Sequence, residues 1–286
     1  MEAWMWLVLL YGVLKGLRDV VKKKALVRNS VIEVLFFYTL IGFIFVIPDI
    51  RGAFQMEMRF LPYIFIKSFV IFVAWLCSYA AISKMPISLY GVMDLARVLF
   101  ATLLGVFVLD EALTLWQVIG LILVLTGLIL VNLKKKGSNE NTHIKYSVYA
   151  LVSCVLNALS GLLDKLLMRD VTSGQLQFWY MLFLLVLYLG YLIYSSVKKQ
   201  GINWKALKKN YWIPILSVLF MVGDRALFLA NGMAESRVTV MTLIKQSCVL
   251  VTILCGWLVF REKGVGYRLL CAAIIIAGIV IATIGM

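Results

Sequence analysis

The sequence predicts an all-α integral membrane protein whose ten transmembrane helices form two inverted five-helix repeats. Three observations lead to this fold class: an apolar composition, a succession of long apolar runs, and a likeness between the two halves of the chain. Of the 286 residues, 63% are hydrophobic, against roughly 45–50% in an ordinary soluble domain. A soluble core cannot bury that much apolar surface, so the bilayer is the natural solvent.

The apolar runs give the predicted spans. A helix needs about 20 apolar residues to cross the hydrocarbon core. Ten runs meet that length, and most connections are short, so consecutive helices are expected to be antiparallel neighbours. The first run lacks a basic leader and a cleavage site, so we expect it to be a retained helix. The predicted spans are 3–21, 31–48, 60–83, 86–109, 114–133, 146–168, 174–197, 211–233, 237–260 and 265–285.

A polar linker, KKKGSNENTHIK at 134–145, separates a first repeat at 1–133 from a second repeat at 146–286. Each repeat holds five predicted spans. Because five is odd, the second repeat enters the membrane in the opposite sense to the first. Inverted repeats of this kind are a common basis for alternating access, with a site at the interface of the two halves.

The two halves can be aligned by their sequences. Placing Glu111 on Glu262 also places Asp94 on Lys245 without a gap. At the start of each half, GLRD matches GLLD, which places Asp19 on an aspartate of the sixth span. Opposite charges at equivalent positions of the fourth and ninth spans follow from this alignment.

Basic residues predict the orientation. Of the 28 Lys and Arg residues, 17 lie in the connections on one side of the membrane and 4 lie on the other. By the positive-inside rule, the charge-rich side is cytoplasmic and both termini face outward. We therefore expect a multi-pass protein of the cell membrane with external termini.

Composition also limits the possible functions. The formal charge of +14 comes from basic clusters between apolar runs, so we expect no nucleic-acid partner. The single histidine, His143, lies in the linker, and the five cysteines lie in apolar runs without a CxxC pair. These features argue against catalysis or metal binding by His and Cys side chains. We predict neither an enzyme nor a cofactor.

Charged residues within the spans are the main functional signal. One charge at the bilayer centre costs about 3 kcal/mol on insertion scales, so such groups usually face a cavity or a partner. Asp94 lies eight residues into the fourth span, and Arg97 follows one turn later on the same helix face. Lys245 lies at the matching depth of the ninth span. Asp224 and Arg225 lie near the middle of the eighth.

These five residues allow a structural and a functional interpretation. In the structural one, Asp94 pairs with Arg97 and Asp224 pairs with Lys245, which fixes helix register and nothing else. In the functional one, all five line a polar cavity at the repeat interface and bind a charged or zwitterionic solute, or carry a proton. The similar depths of these groups on separate helices favour the functional interpretation.

Other residues are secondary candidates. Trp75 and Tyr79 share a face of the third span, and Tyr90 precedes Asp94 by one turn; these are candidate ligand contacts, although packing or an interfacial belt also explains aromatic stripes. Lys67 lies near a helix end, so we expect its ammonium group to snorkel to the interface. Charged residues of the first and sixth spans are candidates for gating or for structural capping: Arg18, Asp19, Asp164 and Lys165.

The segment WLCSYAAISKMPISLYGVMDLARVLFATLLGVFVLDEALTLWQVIGLILVLTGLILV, together with its counterpart from Asp224 to Ile284, resembles the duplicated EamA-like module of the drug/metabolite transporter superfamily. The resemblance rests on small residues before a proline, on an acidic residue that closes the fourth and ninth spans, and on a glycine in the helix that follows. These residues are Pro86, Glu111, Glu262, Gly127 and Gly278.

The resemblance implies a ten-helix inverted-repeat secondary transporter whose cavity is lined mainly by spans 1, 3, 4, 6, 8 and 9. Members of the family move amino acids, nucleotide sugars, organic cations and other metabolites, some with coupling to protons. Many members are described with cytoplasmic termini, opposite to the charge count here. The second half also has Arg237 where the first half has its proline.

The sequence therefore predicts a secondary transporter of a small polar or zwitterionic metabolite, either amino-acid-like or an organic ion, that works by alternating access. Proton coupling, transport direction and a homodimeric assembly are left open. The expected partners are the small-molecule substrate and the lipid bilayer. The alternative is a flippase for a lipid headgroup or a lipid-linked sugar, which needs a lateral opening and a basic pocket; Lys15, Arg18 and Lys22–Lys24 are its sequence hints.

Overall fold

A computed structural model gives the fold and describes residues 2–109, 114–133, 140–198, 204–231, 233, 241 and 244–284. Glu111, Arg237 and residues 134–139 of the linker lie outside them, as does the side chain of Lys165. All regular structure within the described residues is helical. The helices are α1 Ala3–Ala25, α2 Val31–Val46, α3 Ile50–Ala53, α4 Leu61–Lys84, α5 Ile87–Asp94, α6 Ala96–Leu109, α7 Leu115–Leu133, α8 Glu140–Leu167, α9 Ser173–Lys198, α10 Trp204–Lys208, α11 Trp212–Asn231, α12 Ser247–Phe260 and α13 Val265–Ile284.

Several of these helices are suited to a bilayer. Within the described residues, seven segments are long and apolar enough to cross a membrane. Helix α12 is apolar but shorter, and α1 and α11 occupy the predicted first and eighth spans with 23 and 20 residues. These helices agree with a multi-pass membrane protein, and the number of ten spans stays a prediction.

Helix α8 differs from its predicted bounds, since it begins at Glu140, inside the linker, and runs for 28 residues to Leu167. A helix satisfies its backbone hydrogen bonds internally, so the polar residues before Tyr146 can extend it beyond the apolar segment. The linker at 134–145 is therefore helical from Glu140 onward.

Each long helix of the first half packs most closely against a helix of the second half. Helix α1 packs on α11 and α12, and α8 correspondingly packs on α4 and α6. Helix α2 packs on α9, α5 on α12, and α7 on α13. When the first five spans are exchanged in order with the last five, α1–α11 maps onto α8–α4 and α1–α12 maps onto α8–α6, while the other three pairs map onto themselves. That is the pattern expected of two symmetry-related repeats.

Hydrogen bonds between connections show which helix ends lie on the same side. Gln175 Nε2 donates to the carbonyl of Gly52 over 3.1 Å, which joins the charge-poor connections after α2 and after α8. Asn210 Nδ2 donates to Ala25 O over 2.8 Å and to Asn29 Oδ1 over 2.7 Å, which joins two charge-rich connections. The structure thus groups these connections as the charge count does.

The fourth and ninth spans are both interrupted near their middle, at equivalent positions. The first break lies at Leu95, between α5 and α6, and the second at Gln246, directly before α12. Val98 N–H donates to Leu95 O over 3.1 Å, and Val249 N–H donates to Gln246 O over 3.0 Å. On the alignment of the halves given above, these donors and acceptors are equivalent. Discontinuous helices at matching positions of two repeats typically flank a binding site.

Glycines allow α7 and α13 to pack backbone to backbone. A Cβ atom on Gly278 would lie 2.6 Å from the carbonyl oxygen of Gly120. Because that oxygen belongs to the main chain, it cannot move aside as a side chain would. This contact joins the fifth and tenth predicted spans and lies apart from the charged residues.

Candidate functional site

A cavity of about 380 Å³ lies between the two halves and collects charged side chains from both. It is lined by residues of α1, α4 and α6 from the first half and of α8, α9 and α11 from the second. Its charged lining consists of Arg18, Lys67, Arg97, Asp164 and Asp224. A larger depression of about 690 Å³ beside α12 and α13 is lined by aliphatic side chains and offers no polar partner to a solute.

Asp94 is the centre of a cluster that joins α1 to the break in the fourth span. Lys15 Nζ donates to its Oδ2 over 3.0 Å, and one guanidinium nitrogen of Arg97 donates to Oδ1 and Oδ2 over 2.7 and 2.6 Å. The Asp94–Arg97 pair of the structural interpretation is present, and Lys15 is a second partner that sequence reasoning missed. Arg97 lines the cavity, whereas Asp94 is not among its lining residues.

Lys245 faces this cluster from the ninth span. Lys15 and Arg97 are near enough to repel it, and within the described residues it forms no ion pair. The Asp224–Lys245 pair of the structural interpretation is absent from the described contacts. Together with Asp94, these groups bring three cations and one carboxylate into one region.

The expectation that the ammonium group of Lys67 snorkels to the membrane interface is wrong. The residue is 2% exposed, and its Nζ lies 2.7 Å from Oδ1 of Asp164 and 3.8 Å from the ring centroid of Tyr180. The spanning segment begins at Met58, so Lys67 lies deeper than its distance from residue 60 indicated. A carboxylate and an aromatic face compensate the buried ammonium group. This ion pair joins α4 of the first half to α8 of the second.

Arg18 and Asp224 line the same cavity without such a partner. The Arg18 guanidinium lies 5.1 Å from the ring centroid of Phe220, and its Nε is buried and lacks an acceptor within the described residues. The positive charges of Arg18 and Lys67 lie near enough to act on the Asp224 carboxylate. Neither Arg18 nor Asp224 has an ion-pair partner within 4.0 Å among the described residues.

The aromatic candidates divide between the cavity and the core. Trp75 lines the cavity and lies 6.0 Å from Phe220 between ring centroids. The Tyr90 hydroxyl lies 2.6 Å from Ser78 Oγ, a contact that joins α5 to α4 outside the lining. Tyr79 is 2% exposed and belongs to the hydrophobic core. Of the three, Trp75 alone lines the part of the cavity that the structure describes.

The candidate gating residues also separate. Arg18 and Asp164 line the cavity. Asp19 instead accepts a hydrogen bond from Lys22 over 2.8 Å near the end of α1, and the same ammonium group lies 5.2 Å from the Tyr79 ring centroid. The side chain of Lys165 lies outside the described residues. Asp19 therefore has a local partner within α1.

Arg225 does not join the other site candidates. Its side chain is 56% exposed and lies 3.4 Å from Asp49, near the charge-poor end of α2. Successive residues of a helix point in directions about 100° apart, so the neighbour of the cavity-lining Asp224 faces away from it. The structure thus separates a pair that the sequence placed together.

The cavity reaches one side of the protein, which we call the open end and define by Met168 and Ser173. Both residues line the cavity and are exposed, and they stand at the end of α8 and the start of α9. The connection between them belongs to the charge-poor side. A solute can therefore approach the charged lining from that side.

Glu262 closes the opposite side, which we call the closed end. Its carboxylate accepts hydrogen bonds from the backbone N–H of Ile87 over 2.5 Å and of Ser88 over 3.1 Å, at the start of α5. Arg268 donates to it over 2.9 Å, and Lys23 Nζ lies 3.6 Å away. An anion at a helix N-terminus is electrostatically favourable. These contacts hold the loop after α12 against the first half.

Comparison with known proteins gives three results beyond the geometry. A crystal structure described only as "Crystal structure of protein" aligns with a TM-score of 0.64 at 13% identity, over 99% of this chain and 98% of that chain; this likeness concerns the fold alone. No curated protein sequence matches the chain significantly. The sequence model of the EamA-like transporter family matches residues 2–133 and again residues 144–284. The chain is therefore a multi-pass membrane protein that belongs to the EamA-like transporter family.

Proposed function

We propose that the protein is a secondary transporter that moves a small polar or zwitterionic metabolite across the cell membrane by alternating access between two inverted five-helix repeats. The observation that carries this proposal is the charged cavity of about 380 Å³ between the two halves. Cavities of this size suit small solutes. Charges buried at such depth are costly and are typical of a substrate or ion pathway.

Alternating access is supported by the asymmetry of the two ends. Met168 and Ser173 leave the cavity accessible at the open end, while Glu262 and its partners join the halves at the closed end. The breaks at Leu95 and Gln246 are equivalent points at which the two halves can bend. An arrangement with one open and one closed end is what alternating access expects of one of its two states.

Of the basic residues that hinted at a lipid headgroup, Lys22–Lys24 are already engaged within the protein. Lys22 pairs with Asp19, Lys23 donates to the Met85 carbonyl over 2.6 Å, and Lys24 lies 4.7 Å from the centroid of an indole ring. A headgroup pocket needs unpaired cations near one leaflet. These contacts favour a soluble metabolite over a lipid as the substrate.

A cavity-filling substitution tests the proposal without knowledge of the substrate's identity. Gly161 lines the cavity, and a Cβ atom there meets nothing within 4 Å. In proteoliposomes, counterflow of a panel of amino acids, organic cations and organic anions should show at least one solute that the wild type carries. Gly161→Trp should abolish that counterflow because the indole ring occupies the solute volume.

The matched control is Gly190→Trp, since Gly190 is exposed on α9 and also meets nothing within 4 Å. This variant should transport normally. Equal transport by both variants would place the pathway elsewhere and would contradict the proposal. A folded wild type that carries no member of the panel would count against a metabolite transporter.

A further inference from the structure

We propose that Arg18 and Asp224 are the two poles of the binding site and hold the carboxylate and the ammonium group of one zwitterionic solute, as in an α-amino acid. The inference rests on the proposed transport function and names the substrate class for the same cavity. It also assigns to Arg18 a binding role in place of the gating role suggested by its position near the end of the first span.

The other charged side chains of the cavity already have partners. Lys67 and Asp164 form an ion pair at 2.7 Å across the two halves. Arg97 donates to both oxygens of Asp94. A solute that binds to one of these groups must first separate a pair in a poorly solvated place, which is costly. These pairs are therefore poor primary contacts for a substrate.

Arg18 and Asp224 are the charged lining residues that lack an ion pair within the part of the chain that the structure describes. The Arg18 Nε is buried and has no acceptor there, and the guanidinium lies over the Phe220 ring. A buried donor that is left unsatisfied is energetically costly. A carboxylate that reaches the guanidinium would remove that cost, which identifies Arg18 as an anion-binding group.

The placement of the two groups favours a solute with both charges. Arg18 lies on α1 of the first half and Asp224 on α11 of the second; they act on each other electrostatically but lie beyond 4.0 Å. A lone anion would bring no positive charge to Asp224, and a lone cation would bring no negative charge to Arg18. A zwitterion placed between them neutralises both and links the two halves, as alternating access requires.

Three probes on the wild type test the inference without any mutation. Purified protein is screened for thermal stabilisation by the common L-α-amino acids at millimolar concentration. The best amino acid is then compared with its decarboxylated amine and with its deaminated carboxylic acid, which each keep one pole. The amino acid should bind about 30-fold or more tightly than either analogue, because each analogue leaves one charged group of the protein unpaired.

Two variants that each remove one charge identify the poles. Arg18→Gln should weaken amino-acid binding about 30-fold or more and remove the preference over the amine. Asp224→Asn should weaken it similarly and remove the preference over the carboxylic acid. Arg59→Gln and Asp170→Asn change exposed residues of the charge-poor side and should leave both the affinity and the preferences unchanged. If a variant fails to fold, the comparison of the three wild-type probes still decides the substrate class.

The outcomes separate this inference from the proposed function. Counterflow of a solute with a single charge, with no binding of any amino acid, would overturn the zwitterion and keep the transporter. Amino-acid binding whose preferences survive both substitutions would overturn the assignment of the poles. Absence of counterflow for every solute in the panel would overturn the transporter, and this inference with it.

Discussion

Asp94 forms ion pairs with both Lys15 and Arg97, so removal of its carboxylate should lower the stability of the protein more than removal of either cation. Without the Asp94 carboxylate, the positive charges of Lys15, Arg97 and Lys245 would lie in one region with no compensating negative charge among the described contacts. Breaking a buried pair by removing one partner typically costs about 3–5 kcal/mol. We expect Asp94→Asn to lower the stability by an amount in that range, measured by unfolding in detergent.

Lys15→Met should cost about 1 kcal/mol or less, because Arg97 still donates to both oxygens of Asp94 and the repulsion of Lys245 by Lys15 disappears. Asp170→Asn, in the exposed connection after α8, is the matched control for loss of an aspartate. Equal destabilisation by Asp94→Asn and Lys15→Met would show that Arg97 alone does not satisfy Asp94.

Residue depth was readable from the sequence, but side-chain partners were not. The apolar runs indicated that Asp94 and Asp224 lie far from the ends of their predicted spans. They could not show that Lys15, from another helix, completes the Asp94 cluster, because such a contact depends on how α1 packs. The prediction that Lys67 snorkels to the interface failed for a similar reason. Its partner, Asp164, lies almost a hundred residues later in the chain, and the sequence alone does not show that the two residues meet.

At the scale of elements, the start of α5 and the loop after α12 act as a latch at the closed end. Glu262 accepts two backbone N–H groups of α5 and a guanidinium from Arg268. Replacing the carboxylate by an amide removes the charge from these hydrogen bonds, and hydrogen bonds to charged groups contribute about 1.5–3 kcal/mol. The closed end of Glu262→Gln should therefore open more often.

The measurement is alkylation of a cysteine placed at Met85, which is 2% exposed and adjoins the latch. In a background without the five native cysteines, Met85→Cys should react about tenfold faster when Glu262→Gln is added, because the labelling rate follows the population of the opened end. Glu57→Gln removes an exposed carboxylate that pairs with Arg59 and serves as the control. An unchanged rate would show that the latch does not hold this end.

The order and type of the long helices could be predicted, because each apolar run carries its own signal for a helix in a bilayer. The breaks at Leu95 and Gln246 could not, since neither position has a proline or glycine that would mark it. The alignment that paired Asp94 with Lys245 nevertheless pointed to the right pair of helices. The structure adds that both charges directly precede a break.

At the scale of the whole molecule, the positive-inside rule and the position of the cavity together predict which state the structure represents. The open end, at Met168 and Ser173, belongs to the charge-poor connections, which should be external. The closed end holds Lys23 and Arg268 and should be cytoplasmic. The structure should then be an outward-open state, in which solute enters from or leaves to the exterior.

Labelling of intact cells with a membrane-impermeant maleimide tests this orientation. Ser173→Cys, in a background free of native cysteines, should react in intact cells because Ser173 is exposed at the open end. Lys205→Cys, in the exposed α10 of the charge-rich side, should react only after permeabilisation. The solute that the wild-type protein transports, added in excess, should slow the labelling of Ser173→Cys, because it occupies the cavity that Ser173 lines. The reverse labelling pattern would place the termini in the cytoplasm. The cavity would then open inward, because the positions of Met168 and Ser173 at its open end do not depend on the orientation of the protein.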